Sequence, residues 1–498
     1  MNVNPITRLD YPDPDVIRVE DTYYMVSTTM HFMPGCEILQ SFDLVHWEHV
    51  TYVYETLDHT DAQQLKSGQN IYGQGMWAAS LRYHEGRFYI CFVANDTRKT
   101  YLYTSEKIDG PWKKQLIEGF YHDGSLLFDE DGRNYIVYGN DEIWITELNE
   151  DLTAPKKDGL HRLLVSDHKN PELGYEGSHI QKINGYYYIF LVHSLRDRWM
   201  RTEACFYSDS LEGEFTGGDV LCDDRGYCGQ GVAQGGIVDT PDGKWYAMLF
   251  QDSGAVGRIP ILLPVTWKDH FPFFGQNGHV PEEIEVHSTR PGYIYQPLVG
   301  SDDFCNGLLP HWQFNHDPDP RYYHLDALQG TYTITTREVC TELTQAVNTL
   351  TQRMSYPSCA AEVTVDASAL KEGDVAGLCA LQSCYAAVGI TKHHGKYEVL
   401  MLDKKEDGIL DMTEGTVVES HQMDFRLEAD FCNMKDEARC YYRVNKGDWL
   451  PIGTVHKLYF KLDHFTGCRF GLFCYAAEET GGSACFRDFK YYDVDEIS

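Results

Sequence analysis

Basic residues are scarce in this chain of 498 residues, in which 42 Lys and Arg stand against 75 Asp and Glu and the net charge is −33 at pH 7. A surface with that charge repels nucleic acid and anionic membranes, so we expect neither as a partner. Neutral sugars are not repelled, and their hydrolysis commonly uses carboxylates. The composition therefore favours a neutral substrate over a polyanion.

The chain also lacks the cysteine spacings of a zinc site, since none of its 15 cysteines forms a C-x-x-C pair. Their odd number and apolar surroundings predict reduced cysteines rather than a disulfide framework. Residues 1–8 lack the apolar core of a signal peptide, and no apolar run approaches membrane-spanning length. A cytoplasmic protein is the expectation.

The first 250 residues repeat one pattern five times: an acidic or Gly turn, a short gap and a Tyr that opens an apolar strand. The five tyrosines are Tyr24, Tyr89, Tyr135, Tyr188 and Tyr246, at intervals of 65, 46, 53 and 58 residues. Repeats of roughly 40–50 residues built from strands and tight turns are typical of β-propeller blades. An irregular β-sandwich is the alternative, which five copies at one offset disfavour.

The sequence thus predicts an all-β chain with two domains. Residues 1–300 are predicted to be a five-bladed propeller that carries the catalytic site, with a Pro- and Gly-rich, linker-like end at 267–300. Residues 301–498 remain strand-like but show no five-fold repeat, and they are predicted to form a β-sandwich that packs on the propeller.

Equivalent positions of the repeat point to a candidate active site. Counting back 12 residues from each Tyr, or 11 in the first copy, gives Asp13, Trp77, Asp123, Glu176 and Gln234. The first strand of each blade lines the central channel, so these positions should form a ring at one mouth of it. Asp123 and Glu176 belong to neighbouring blades. Asp13 must face both across the ring, at about 1.6 times the neighbour spacing for an ideal closure.

That asymmetry predicts different roles for the three acids. Two carboxylates close together raise the proton affinity of one of them, which suits Glu176 as general acid and Asp123 as its tuning partner. Asp13 stands apart and suits a general base. A wider separation, about 6.5–9.5 Å, is that of an inverting glycosidase, whereas a retaining pair lies at about 5–5.5 Å. Any one of these acids alone is better explained as a turn cap.

At these residues the chain resembles glycoside hydrolase family 43, in its β-xylosidase and α-L-arabinofuranosidase branch. The matching segments are Tyr11-Pro-Asp-Pro-Asp-Val-Ile-Arg18, Gly75-Met-Trp-Ala78, His122-Asp-Gly-Ser125 and Tyr175-Glu-Gly-Ser-His-Ile180. The resemblance implies a five-bladed propeller followed by a concanavalin A-like sandwich (a jelly roll). It places Asp13 on the family's general base, Asp123 on its pKa-modulating aspartate and Glu176 on its general acid.

The resemblance also implies the residues that bind substrate. Arg258 matches an arginine that reaches the substrate and the carboxylates in relatives, and Trp77 and Gln234 share the ring with the acids. The loop Thr28–Gly35, with His31 and Phe32, is expected to line the pocket. A sandwich loop helps to close the pocket in relatives, and Glu478-Glu-Thr-Gly-Gly482 is the candidate here.

No cofactor is required by the predicted chemistry, but metal binding stays open at two places. Gln234 stands where many relatives carry a His associated with calcium in the channel. By analogy, a structural calcium is expected near Asp302, Asp303 and Asp488.

The predicted enzyme releases terminal arabinofuranose, xylose or both from arabinoxylan- or xylan-derived oligosaccharides, by inversion and from the chain end. A non-catalytic sugar-binding propeller and a retaining, fructan-active propeller are the alternatives. The Asn-Asp-Pro-Asn-Gly and Arg-Asp-Pro segments of the fructan-active family do not occur in the sequence. The oligomeric state is undetermined, and a homo-oligomer remains open.

Overall fold

The computed structural model describes residues 2–493, which form five four-stranded antiparallel sheets followed by two larger sheets. The five sheets are the blades of a propeller and the two larger sheets face each other as a sandwich. The predicted all-β fold is therefore confirmed. No α-helix occurs among the described residues, and hence no helix there is long and apolar enough to cross a membrane.

Each blade is an antiparallel meander of four strands, interrupted only in blade one, where Phe32–Met33 leaves the blade between the second and third strands. Blade one consists of Asp15–Val19, Thr22–Ser27, Gly35–Ser41 and Glu48–Tyr54, and blade two of Ser80–His84, Arg87–Ala94, Lys99–Ser105 and Lys113–Ile117. Blade three consists of Ser125–Phe128, Asn134–Asn140, Glu142–Leu148 and His161–Ser166. Blade four consists of Glu176–Ile183, Tyr186–Ser194, Arg201–Ser208 and Thr216–Leu221, and blade five of Val232–Asp239, Trp245–Asp252, Arg258–Lys268 and Phe271–Phe274.

The repeated Tyr lies on the second strand of every blade, opposite a residue of the inner strand. Tyr24 pairs with Ile17, Tyr135 with Leu127 and Tyr246 with Val238. The shared register places the five ring positions at or near the start of the inner strands. These positions are Asp13, Trp77, Asp123, Glu176 and Gln234. The turns between the two strands are tight because their acidic and Gly residues tolerate left-handed backbone.

The ring of blades closes without a strand shared between the first and last blades. Asn2–Val3 pairs with Glu283–Ile284 beyond blade five, and the Asn4 side chain donates to the carbonyls of Leu262 and Pro281 at 2.8 and 3.0 Å. Apolar side chains also pack between blades one and five, among them Met25, Trp47 and Tyr246.

The predicted linker-like segment 267–300 begins inside the propeller. Trp267–Lys268 pairs with Phe271–Pro272 in the outer hairpin of blade five. Pro272 is accommodated because this is an edge strand, where no neighbouring strand needs its N–H. The sequence suggested a linker because Pro and Gly dominate its composition, although only the part after Phe274 lies outside the blade.

The sandwich is built from a nine-stranded and a seven-stranded sheet. Along the larger sheet the strands are Leu410–Met412, Lys396–Lys404, Tyr385–His393, Val375–Leu381, Arg469–Tyr475, Leu350–Arg353, Gln313–Asn315 and Phe32–Met33, with Thr416–Val418 also paired to Lys396–Lys404. Along the smaller sheet they are Tyr323–Asp326, Thr331–Thr335, Ser483–Asp493, Ser358–Asp366, Gln422–Asp430, Glu437–Arg443 and Leu450–Lys457.

The two domains share a sheet and a core. Phe32–Met33, from the propeller, pairs with Gln313–Asn315 as the edge strand of the larger sandwich sheet. Ala255, Val256 and Ile259 of blade five join the apolar core of the sandwich. This continuity fixes the sandwich against one mouth of the propeller channel. The 15 cysteines are all unpaired, and ten of them are buried.

Candidate active site

A cavity of about 620 Å³ opens at the propeller mouth that the sandwich covers. Its floor is made by ring residues, with Asp13, Asp123 and Gln234 all buried. Trp77 and Glu176 also line it, so all five predicted ring positions meet in one place. Exposed residues, among them Asn140 and Trp199, also line the cavity, so it joins a charged, buried floor to the solvent.

Asp13 is held at the floor by two donors. Arg258 Nη1 lies 3.0 Å from Asp13 Oδ1 and 3.4 Å from Oδ2, and the Thr28 hydroxyl donates to Oδ2 at 2.6 Å. Asp13 is 5% exposed and adopts a left-handed φ of 52°. This conformation, which Asp tolerates better than most residues, turns the carboxylate out of the strand and into the channel mouth.

Asp123 and Glu176 form a second group on the other side of the floor. One side-chain ligand atom each of Asp123, Glu176 and His122 lie within 4.8 Å of one another, and Asp13 is not part of this group. His122 Nε2 is 3.4 Å from Asp123 Oδ2 and 3.5 Å from Glu176 Oε2. Asp123 and Glu176 are therefore neighbours, and the wider separation of Asp13 from them stays a prediction.

The charges in this group act on one another. Burial, opposed by His122 and reinforced by the carboxylates of Glu176 and Asp13, raises the pKa of Asp123 to about 6. Burial alone would lower the pKa of His122, but the charges of Asp123 and Glu176 outweigh it and raise that pKa to about 9. The His122 cation thus sits beside two carboxylates, and one of them, Asp123, has a raised affinity for protons.

Glu176 is the more accessible of the paired acids. Asn140 Nδ2 donates to its Oε2 at 2.7 Å. Within residues 2–493, no hydrogen bond reaches its Oε1. That oxygen therefore remains free to exchange a proton with a bound molecule in the cavity.

Position 177, directly after Glu176, requires a glycine. A Cβ on Gly177 would lie 2.8 Å from Gln234 Cγ and 2.9 Å from Gln234 Cδ, and the residue has φ of +65°. Its N–H donates to Asp123 Oδ2 at 3.0 Å. A bulge at this point of the inner strand aims Glu176 into the cavity. Gln234 therefore acts on the acid pair through packing against Gly177.

The sandwich supplies one wall of the cavity. The ring of Phe465 lies 5.6 Å from that of Trp77, and the Arg258 guanidinium sits over the Phe465 ring at 4.3 Å. Met434, Phe460, Lys461 and Leu462 also line the cavity. The predicted closing loop, Glu478–Gly482, is not among the lining residues, so that prediction is wrong. Which sandwich loop faces the propeller depends on domain docking, which the local sequence does not encode.

His31 and Phe32 do not line the cavity either. Both are fully buried between the domains, where Phe32 belongs to the shared sheet and lies under the Arg469 guanidinium at 3.5 Å. The His31 ring packs against His316 and His464 at 4.8 and 5.0 Å. The expectation that these two residues contact substrate is therefore corrected to a role in the domain interface.

A buried ionic hub lies along the channel, beneath the ring of acids. Asp15, two residues after Asp13, accepts from Arg82 Nη1 at 2.8 Å and contacts His179 Nδ1 at 3.1 Å. Arg82 also donates to the Ser125 hydroxyl at 2.7 Å and to the carbonyl of Ile180 at 3.2 Å. The hub therefore joins the inner strands of blades one to four just below Asp13, Asp123 and Glu176.

The sequence did not single out His122, Asn140 or Thr28. His122 directly precedes Asp123 in the sequence, so its proximity to the acids could have been predicted. Asn140 ends the second strand of blade three, and Thr28 directly follows the second strand of blade one. Their positions follow from strand pairing, which no short motif marks.

The described residues offer little to a metal ion. Their only group of three or more His, Cys, Asp or Glu side chains close enough to share an ion is His122, Asp123 and Glu176. Gly177 N–H and Asn140 Nδ2 each donate to one oxygen of these carboxylates, and His122 Nε2 lies beside both. The Asp302 oxygens likewise accept from the Phe304 N–H at 2.7 Å and the Trp312 indole at 2.8 Å. The calcium expected near Asp302, Asp303 and Asp488 stays a prediction.

Comparison with known families agrees with this architecture. The profile described as glycosyl hydrolases family 43 matches residues 3–272. The chain belongs to this family. A second profile, the beta xylosidase C-terminal concanavalin A-like domain, matches residues 301–492. This family 43 protein is thus a glycosidase, and an oligosaccharide is its class of substrate.

Individual relatives support the same grouping. A beta-xylosidase of Formosa agariphila is 26% identical over 554 aligned residues, covering 99% of this chain and 89% of that protein. A solved structure of a bifunctional GH43-CE protein of Bacteroides eggerthii has a TM-score of 0.93 and 42% identity, covering all of this chain but 64% of the other. An engineered GH43 enzyme with both endo-xylanase and exo-arabinofuranosidase activity has a TM-score of 0.88 and 27% identity, with 99% of each chain covered.

Proposed function

We propose that the protein is an exo-acting, inverting glycosidase that releases terminal arabinofuranose, xylose or both from arabinoxylan- or xylan-derived oligosaccharides. The observation that carries this proposal is the convergence of Asp13, Asp123 and Glu176 on one cavity, with Asp123 and Glu176 grouped around His122. An acid and a base that flank the bond, with room for water beside the base, are what inversion requires.

In the proposed reaction, a terminal sugar lies between Asp13 and Glu176. Glu176 protonates the glycosidic oxygen as the bond breaks, and Asp13 takes a proton from the water that attacks the opposite face of the sugar. Arg258 and Thr28 orient Asp13. Asp123 and His122 place a carboxyl group and a cation beside the general acid.

Exo action is supported by the shape of the site. The sandwich residues around Phe465 close one side of the cavity, which favours entry of a chain end over passage of a polymer. The relatives named as a beta-xylosidase and an exo-arabinofuranosidase support pentose substrates.

The test is hydrolysis of an aryl α-L-arabinofuranoside and an aryl β-D-xyloside, assayed side by side. We expect turnover of at least one. Glu176→Ala should lower kcat for unactivated pentosyl oligosaccharides by about 10²–10⁴-fold, the usual contribution of general acid catalysis. Glu214→Ala is the matched control, because Glu214 is an exposed carboxylate of blade four that does not line the cavity.

Two results would contradict the proposal. Near-wild-type turnover by the Glu176→Ala variant would remove its general acid. Tight oligosaccharide binding with no reducing sugar released by the wild-type protein would favour a binding module instead.

A further inference from the structure

An exposed tryptophan stands at the rim of the cavity on the side of Glu176. Trp199 lies in the loop between the second and third strands of blade four, the blade whose inner strand begins with Glu176. Its side chain lines the same cavity as the acids and is 43% exposed. A large indole left open to solvent beside a cavity floored by carboxylates is typical of a ligand-binding surface.

Two sets of contacts fix the Trp199 indole ring and its loop. The Arg201 guanidinium sits over the Trp199 ring at 5.2 Å, and Arg201 Nε is fixed by Asp252 Oδ2 at 2.8 Å. At the base of the loop, the buried Ser194 hydroxyl accepts from the Met200 N–H at 2.9 Å and donates to the Arg198 carbonyl at 3.2 Å. The platform is therefore preorganised, which lowers the entropy cost of binding.

The proposed roles of Glu176 and Asp13 indicate which part of the substrate lies against Trp199. A general acid protonates the leaving-group oxygen, so the leaving group must lie on the Glu176 side of the bond. Asp13, in blade one, lies on the far side, since blade one does not adjoin blade four. Glu172 and Leu173 complete this part of the wall, and the Leu173 carbonyl accepts from Ser194 N–H at 3.0 Å.

We propose that Trp199 forms the leaving-group subsite and stacks on the sugar ring that remains after the terminal pentose is released. This inference rests on the proposed function, because it takes Glu176 as the general acid. The ligand is a neutral pyranose or furanose ring, whose C–H face packs on the indole. The subsite favours glycan leaving groups over leaving groups too small to reach the indole.

The experiment compares two substrates in Trp199→Ala, Trp199→Phe and wild-type enzyme: a pentosyl oligosaccharide and the pentosyl fluoride of the same anomeric configuration, whose leaving group is too small to reach Trp199. Trp199→Ala should lower kcat/KM for the oligosaccharide by about tenfold or more, mainly through KM, and leave the fluoride nearly unchanged. Trp199→Phe should recover most of the loss. Turnover of the fluoride shows in the same experiment that the variants are folded.

Leu462→Ala is the matched control. Leu462 is 70% exposed on the sandwich lip of the same cavity, and its removal should not separate the two substrates. Equal loss on both substrates in Trp199→Ala, or no loss on either, would overturn the subsite while leaving the proposed function intact. A wild-type protein that hydrolyses neither substrate would overturn both.

Discussion

Arg258 donates from one guanidinium nitrogen to both carboxylate oxygens of Asp13, at 3.0 and 3.4 Å. Arg258 is itself fixed from two directions. Its backbone N–H donates to Asp10 Oδ1 at 2.7 Å, and Asp10 Oδ2 accepts from the Gly467 N–H of the sandwich at 2.8 Å. The position of the predicted base thus depends on both domains.

Replacing Arg258 by Met should lower kcat by about 100-fold, because a misplaced base costs that much even where the chemistry is otherwise intact. The assay is aryl glycoside turnover, with thermal unfolding measured alongside. Arg290→Met is the matched control, since Arg290 pairs with Asp21 at the exposed surface. Equal activity in the two variants would contradict the assigned role of Arg258.

Because Arg82 links the inner strands below the acids, replacing it should change the placement of the catalytic carboxylates rather than the affinity for substrate. Burial alone would raise the pKa of Asp15, but the Arg82 charge and the His179 hydrogen bond outweigh it and lower that pKa. Arg82→Lys keeps the charge but loses donors to blades three and four, so kcat should fall with KM little changed. Arg18→Lys, at the Asp239 pair of blade five, is the control. A change confined to KM would contradict the positioning role.

His122 should control the acidic limb of the pH profile. The pKa of Asp123 is about 6 and that of His122 about 9, so His122 is charged wherever Asp123 titrates. Removing this cation with His122→Asn raises the pKa of Asp123 further, and the acidic limb of kcat/KM should move to higher pH. His84→Asn, at the opposite mouth of the channel, serves as control. An unmoved limb would contradict the coupling.

The buried histidines between the domains predict acid-sensitive stability. Burial and the neighbouring His charges lower the pKa values of His31 and His316 well below 6.5, and burial and Arg469 lower that of His464 to about 3. The side chains facing them include Tyr72 and Asn315.

The sign follows from proton uptake. Below about pH 6.5 the unfolded chain binds protons that the folded chain does not, so these residues cost stability as the pH falls towards 3. Asp123, with its raised pKa, acts in the opposite direction below about pH 6. His464→Gln should therefore flatten the fall in Tm between pH 7 and 5, whereas exposed His393→Gln should not. The same dependence of Tm on pH in both variants would contradict the assignment of acid sensitivity to the buried histidines.

Much of the fold could be predicted because its signals are local and repeated. The turn and the Tyr recur at one offset in every blade, and the ring of Asp13, Trp77, Asp123, Glu176 and Gln234 follows from that register. The separation of one acid from the other two follows from blade order alone.

What the sequence did not predict depends on contacts between distant segments. The sandwich reaches the cavity through Phe465 rather than through 478–482, because domain docking decides which loop faces the propeller. Phe32 lies in the shared sheet because Gln313–Asn315 offers it an edge. The Arg82 hub joins four blades, and although Asp15, Ser125 and His179 lie in the family-matching segments, their convergence depends on the pairing of distant strands.

The most direct test of an inverting reaction between Asp13 and Glu176 is time-resolved ¹H NMR of the sugar released from a pentoside. The anomer that appears first should have the configuration opposite to that of the substrate, before mutarotation mixes the two forms. A first product of retained configuration would contradict the separate placement of base and acid on which the proposed mechanism depends.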